Sequence, residues 1–191
     1  TVGDRYDVGF DYTGLVDDVA GEFDHLDHRV AVTADGSDPP AGWTDVATLR
    51  DGPEPTGLPD VNPCNPGMLM LSGGTSGLPK AIPRTHNDYV YLWERIAEGM
   101  NVAPDWTLVP GVPVAHSFAF GYIMGAALWA GATLAVEPRL KPEPIMQLVD
   151  RVDGDVTALI PKQLLDLLEH PDAAAYDLST LEVVCSGGQK V

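Results

Sequence analysis

Lysine is scarce in this 191-residue chain: it occurs four times, beside seven arginines, against 28 acidic residues, for a formal charge of −17. A field of that sign repels phosphate backbones and anionic headgroups, which argues against a nucleic-acid or membrane-surface partner. Cysteine is scarcer still. Cys64 and Cys185 are too few for a disulfide scaffold or a zinc cluster. No run of about 18 apolar residues exists, so no segment reads as a membrane-spanning helix. Internal repeats are also missing. With 45% hydrophobic residues, the composition argues against a disordered chain, a fibre and a coiled coil.

The first residues, TVGDRYDVGF, lack both an initiator Met and the layout of a signal peptide. The last, VVCSGGQKV, stop just after a strand-like run and a Gly pair. Both ends lead to the expectation of a piece of a longer protein; a cytoplasmic location is expected separately. The acids are mostly Asp, 20 against eight Glu. An Asp-rich, Lys-poor surface fits a protein kept soluble in high salt, where screening weakens self-repulsion.

The pattern divides the chain at residue 66. Residues 1–66 read as a partial α/β subdomain, with a helix near 12–23 and a short strand at 28–33. A Pro/Gly-rich connection follows over 34–66. Residues 67–191 read as a glycine-rich loop plus a βαβ subdomain. Strands are expected at 68–72, 107–113, 133–138, 156–161 and 181–186. Helices are expected at 86–100, 117–130 (ended by Gly131), 142–152 and from 162. Strands alternating with helices predict βαβ units, and near-continuous apolar runs predict a parallel sheet covered on both faces. The fold class is α/β.

The most informative segment is Ser72-Gly73-Gly74-Thr75-Ser76-Gly77, followed by Leu78, Pro79 and Lys80. Three glycines permit a tight turn that points N–H groups into a concavity. Ser72, Thr75 and Ser76 add hydroxyls, and Lys80 adds a charge. Together these can hold a polyphosphate. It is no Walker A loop, because Leu78 and Pro79 separate Gly77 from Lys80. Composition alone also allows a plain surface turn.

The string LSGGTSGLPKAIPRTHNDY resembles the phosphate-loop motif of the adenylate-forming superfamily of acyl- and aryl-CoA ligases and luciferases. With IPRTH and Asp-Tyr it is similar to the aryl acid–AMP ligases of the 2,3-dihydroxybenzoate type. GFDYTGL, PVAHSFAF, AGATLAVEP and VVCSGGQKV fall in the matching order. The resemblance implies part of a large N-terminal domain. It also implies an ATP-dependent ligase that makes an acyl-adenylate with release of pyrophosphate, then passes the acyl group to a thiol.

By the same resemblance, Ser72, Gly73, Gly74, Thr75, Ser76, Gly77 and Lys80 would grip the ATP phosphates. His116, Ser117, Phe118 and Tyr122 would border the acid, and Gly187 and Gly188 would lie beside the adenine and the acid. His116 taken alone reads more readily as a histidine at a helix N-terminus satisfied by backbone groups. Dihydroxybenzoate-type enzymes carry Asn where Ser117 stands and a small Ser where Tyr122 stands. The implied substrate class is therefore an aromatic carboxylic acid, without 2,3-dihydroxybenzoate itself being implied. The implied acceptor is a carrier-protein phosphopantetheine arm or CoA, and the implied setting is siderophore assembly. Ligands for Mg2+ and the catalytic lysine are expected beyond Val191. No catalytic residue is expected within the 191 residues, which by themselves should be inactive. The competing readings are an aryl- or acyl-CoA ligase and a non-catalytic nucleotide-binding module.

Overall fold

The computed structural model describes residues 11–33, 37–57, 59–71 and 78–188. Two compact units emerge, Thr1–Pro59 and Asp60–Val191.

In the first unit, Asp11 begins helix α1 (Tyr12–Val19) by accepting from the Gly14 N–H at 2.8 Å, satisfying one of the donors that a helix start leaves open. A single 3-10 turn, Ala20–Glu22, continues it. Strands β1 (Val30–Ala31) and β2 (Thr44–Asp45) pair in parallel. Asp45 then caps the short helix α2 (Val46–Arg50) through the Ala47 N–H. The Thr33 hydroxyl donates to the Asp45 carboxylate, which with the Ala47 bond holds that carboxyl below its ordinary range. Sequence reading treats β2 and α2 as plain connection, because Gly, Pro and Asp punctuate both flanks.

The second unit opens with an antiparallel ribbon, β3 (Pro66–Leu71) and β4 (Ala81–Thr85). These strands flank residues 72–77. The expected strand at 68–72 therefore pairs with a neighbour that sequence reading omits, outside the parallel sheet. Thr85 and Asp88 form a reciprocal capping box that starts α3 (His86–Gly99).

A four-stranded parallel sheet follows, in the order β6-β5-β7-β8, from β5 (Thr107–Pro110), β6 (Thr133–Leu134), β7 (Val156–Leu159) and β8 (Val183–Ser186). Its two faces belong to different clusters. Leu108, Val156 and Ala158 pack with Ala97 of α3 and with Ile123, Ala126 and Ala127. Val109 and Leu159, their chain neighbours, pack instead with Ile145, Leu148 and Val149 of α5 (Pro142–Val152) and with Leu164 of α6 (Pro161–Leu168). Side chains alternate across a strand, so one strand feeds both layers. Helices thus cover both faces of a parallel sheet, as the sequence predicts.

The expected helix at 117–130 is continuous but not uniform. It is α-helical at Ser117 and Phe118, π-helical over Ala119–Met124 and α-helical again as α4 (Gly125–Ala130), where Gly131 caps it at φ +72°.

Candidate active site

Parallel α/β sheets present ligand sites at the carboxyl ends of their strands. Here β5 ends at Pro110 and its turn carries Ala115, His116 and Ser117, while β8 ends at Ser186 and runs into Gly187 and Gly188. Gln163 ties this edge together. Its Nε2 donates to the Gly111 carbonyl at 2.8 Å, and its Oε1 accepts from the Ile160 N–H at 3.0 Å.

A cavity of about 580 Å³ lies between this turn and the β3–β4 ribbon. Leu69, Leu71 and Ile82 supply its apolar wall, and Arg84, Tyr89, His116 and Ser117 its polar groups. Leu69 and Leu71 remain 63% and 71% exposed, so the cavity opens widely on the ribbon side.

His116 sits at the start of the helix and on the cavity wall. Its Nδ1 accepts from the Phe118 N–H at 3.2 Å, and its carbonyl accepts from the Phe120 N–H at 2.9 Å, so it starts the helix. With Nδ1 an acceptor, the proton of a neutral imidazole sits on Nε2. That N–H is the donor left for the cavity, where Ser117 lies exposed beside it.

Phe118 and Tyr122 stand on the next turn of the helix and are not on the cavity wall. Their rings meet edge to face at 5.5 Å, with Tyr122 40% exposed. Gly187 faces this pair: a Cβ built on it would sit 3.9 Å from Phe118 Cζ. Gly188 turns the chain at φ +87°. His116 and Ser117 thus line the cavity, whereas Phe118, Tyr122 and Gly187 form an adjoining aromatic shelf.

Ser72, Gly73, Gly74, Thr75, Ser76 and Gly77 fall outside the described residues. Lys80 lies exposed just before β4. His86 opens α3, which Thr85 caps; its imidazole packs over Gly67 and borders a second cavity of about 220 Å³. Cys185 is a packing residue, its Sγ 3.5 Å from Met100 Sδ, and burial pushes its thiol pKa up.

Arg84 and Gln163 escape sequence reading. The signal for Arg84 was present: an arginine four residues past Lys80 in a chain with so few cations. Gln163 could not have been found, because its partner Gly111 is 52 residues away.

Among the described residues, no group of three or more His, Cys, Asp or Glu side chains has the arrangement of a metal site. No helix among them is long and apolar enough to cross a membrane.

A family model described as "AMP-binding enzyme" matches residues 15–191. The 2,3-dihydroxybenzoate-AMP ligase of Bacillus subtilis is 30% identical over 95% of this chain and 33% of its own length. The salicyl-AMP ligase / salicyl-S-ArCP synthetase of Mycobacterium tuberculosis is 31% identical over 80% of the chain and 26% of its own length. Among solved structures, apo MbtA of Mycobacterium smegmatis superposes with a TM-score of 0.78 at 30% identity, covering 93% of this chain and 32% of that one. The chain thus spans about a third of the length of relatives such as the Bacillus subtilis ligase.

Proposed function

This chain belongs to the AMP-binding enzyme family, and from that premise we propose that the full-length protein activates an aromatic carboxylic acid with ATP. The acid becomes an acyl-adenylate with loss of pyrophosphate, and its acyl group then passes to the thiol of a carrier-protein phosphopantetheine arm or of CoA. Siderophore assembly is the proposed setting.

The observation that carries this reading is the single cavity shared by the ribbon flanking residues 72–77 and by the His116 turn. Anhydride formation needs the carboxylate and the ATP α-phosphate held together, away from water. In this reading Ser72–Gly77 and Lys80 hold the phosphates. His116 and Ser117 face the acid, and Phe118 and Tyr122 beside Gly187 flank it. Tyr122, on the shelf that adjoins the cavity, stands where dihydroxybenzoate-type enzymes carry a small Ser, and its bulk would reshape that side of the acid site. Magnesium, when bound, would neutralise phosphate charge; its ligands belong to chain beyond Val191.

The test is ATP–pyrophosphate exchange by the full-length protein with a panel of benzoate, salicylate, 2,3-dihydroxybenzoate, cinnamate and octanoate. Exchange is expected with one or more aryl acids and not with octanoate. Lys80→Ala should lower it at least about tenfold through loss of a charge-assisted phosphate contact. The 191 residues alone should remain at background. Exchange restricted to octanoate, or with no acid at all, would refute the proposal.

A further inference from the structure

The cavity beside His116 holds one formal cation among the described residues that line it, Arg84. Its side chain is fixed from two directions. Tyr89, itself only 7% exposed, offers its ring face 5.2 Å from the guanidinium carbon. Asp88 Oδ2 lies 3.3 Å from Nε. That contact is an ion pair without hydrogen-bond alignment, since the buried Nε has no hydrogen-bond partner. The terminal Nη1 and Nη2 groups have no acceptor among the described residues.

A planar pair of N–H donors on a fixed stem matches a planar oxyanion bidentately. The surroundings decide which oxyanion. A triphosphate needs many donors and several charges. This wall instead offers one cation, the apolar side chains of Leu69, Leu71 and Ile82, and the ring of Tyr89. Those groups suit a flat apolar body that carries a single negative charge.

We propose that Arg84 is a specificity-determining residue that receives the carboxylate of the acid substrate in this cavity and selects the ionised form. Nη1 and Nη2 donate to the two carboxylate oxygens. The aryl ring lies along Ile82 and Tyr89, towards His116 and Ser117. The inference rests on the acid-activating reading given above, but its test does not depend on turnover.

Binding of benzoate and of benzamide to the full-length protein, without ATP, is compared by calorimetry. The wild type should bind benzoate at least about tenfold more tightly than its neutral amide, as expected for a charged hydrogen-bonded pair. Arg84→Gln should erase that ratio, and Arg84→Lys should restore part of it. A merely structural arginine would shift melting temperature without moving the ratio. In pyrophosphate exchange, Arg84→Gln should raise the KM of the acid about tenfold or more while changing the KM of ATP less than about twofold. Retention of the wild-type ratio in Arg84→Gln, a wild type that binds neither ligand, or a rise confined to the KM of ATP would each overturn the assignment. Failure of exchange with every acid would sink the acid-activating reading, while the benzoate-to-benzamide ratio would still decide the role of Arg84.

Discussion

Glu137 is 7% exposed, yet it is charged, because Arg139 closes on it. The Arg139 Nε donates to Oε1 at 2.9 Å, and the Arg139 backbone N–H reaches the same oxygen at 2.8 Å. The guanidinium bond foremost holds the Glu137 pKa below its usual 4.5, against the opposing effect of burial. A depressed carboxylate contributes stability above its unfolded pKa and loses it as pH falls through the lower folded value. In urea denaturation, wild type should therefore lose stability more steeply than Glu137→Gln as pH drops below 4.5. Parallel acid limbs would contradict this. At this scale, legibility followed the source of the signal. Lys80 and His116 stand in motifs contiguous in sequence. The pairing of Gln163 with Gly111, and of the Arg84 guanidinium with the Tyr89 ring, exists only after folding.

Elements were legible wherever one periodicity governed them. Helix α5 follows a Pro start and an apolar stripe, and it spans the residues expected. Strand β4 was missed because Pro83 breaks its run. A proline is tolerated in a strand with an open edge, and in this two-stranded ribbon β4 has a partner on one side only. The π-helical turn at Ala119–Met124 has no sequence signature; such turns are frequent at functional sites, and this one lies between Phe118 and α4. The helix it belongs to is seated by Gly125, where a Cβ would fall 1.9 Å from Trp93 Cδ1. Trp93 is a wide ring hemmed by Tyr89 and Phe120 at 5.9 and 5.8 Å, so it cannot swing aside cheaply. Gly125→Ala should lower the stability of the protein by about 1–3 kcal/mol, as overpacking does, measured by chemical denaturation. A neutral effect would mean that α3 and α4 are less tightly engaged than these distances indicate.

For the molecule as a whole, the alternation of strands and helices set the class and the loop at 72–80 pointed to the family, but the strand order β6-β5-β7-β8 needed coordinates. The two clusters on opposite faces of the sheet confirm the α/β reading. The charge of −17 has a separate consequence. Self-repulsion weakens as the Debye length shrinks from about 10 Å at 0.1 M salt to about 3 Å at 1 M. Melting temperature should rise between low and molar sodium chloride, and a flat or falling profile would rule out the saline reading.

The central claim is that acid and nucleotide are gathered at one site between the β3–β4 ribbon and the His116 turn. The most direct measurement is calorimetric binding of a non-hydrolysable aroyl-adenylate analogue to the full-length protein. A site built for the adenylate should hold that analogue at least about 100-fold more tightly than AMP or the free acid. Affinity no better than that of AMP would mean that the two halves do not share a site.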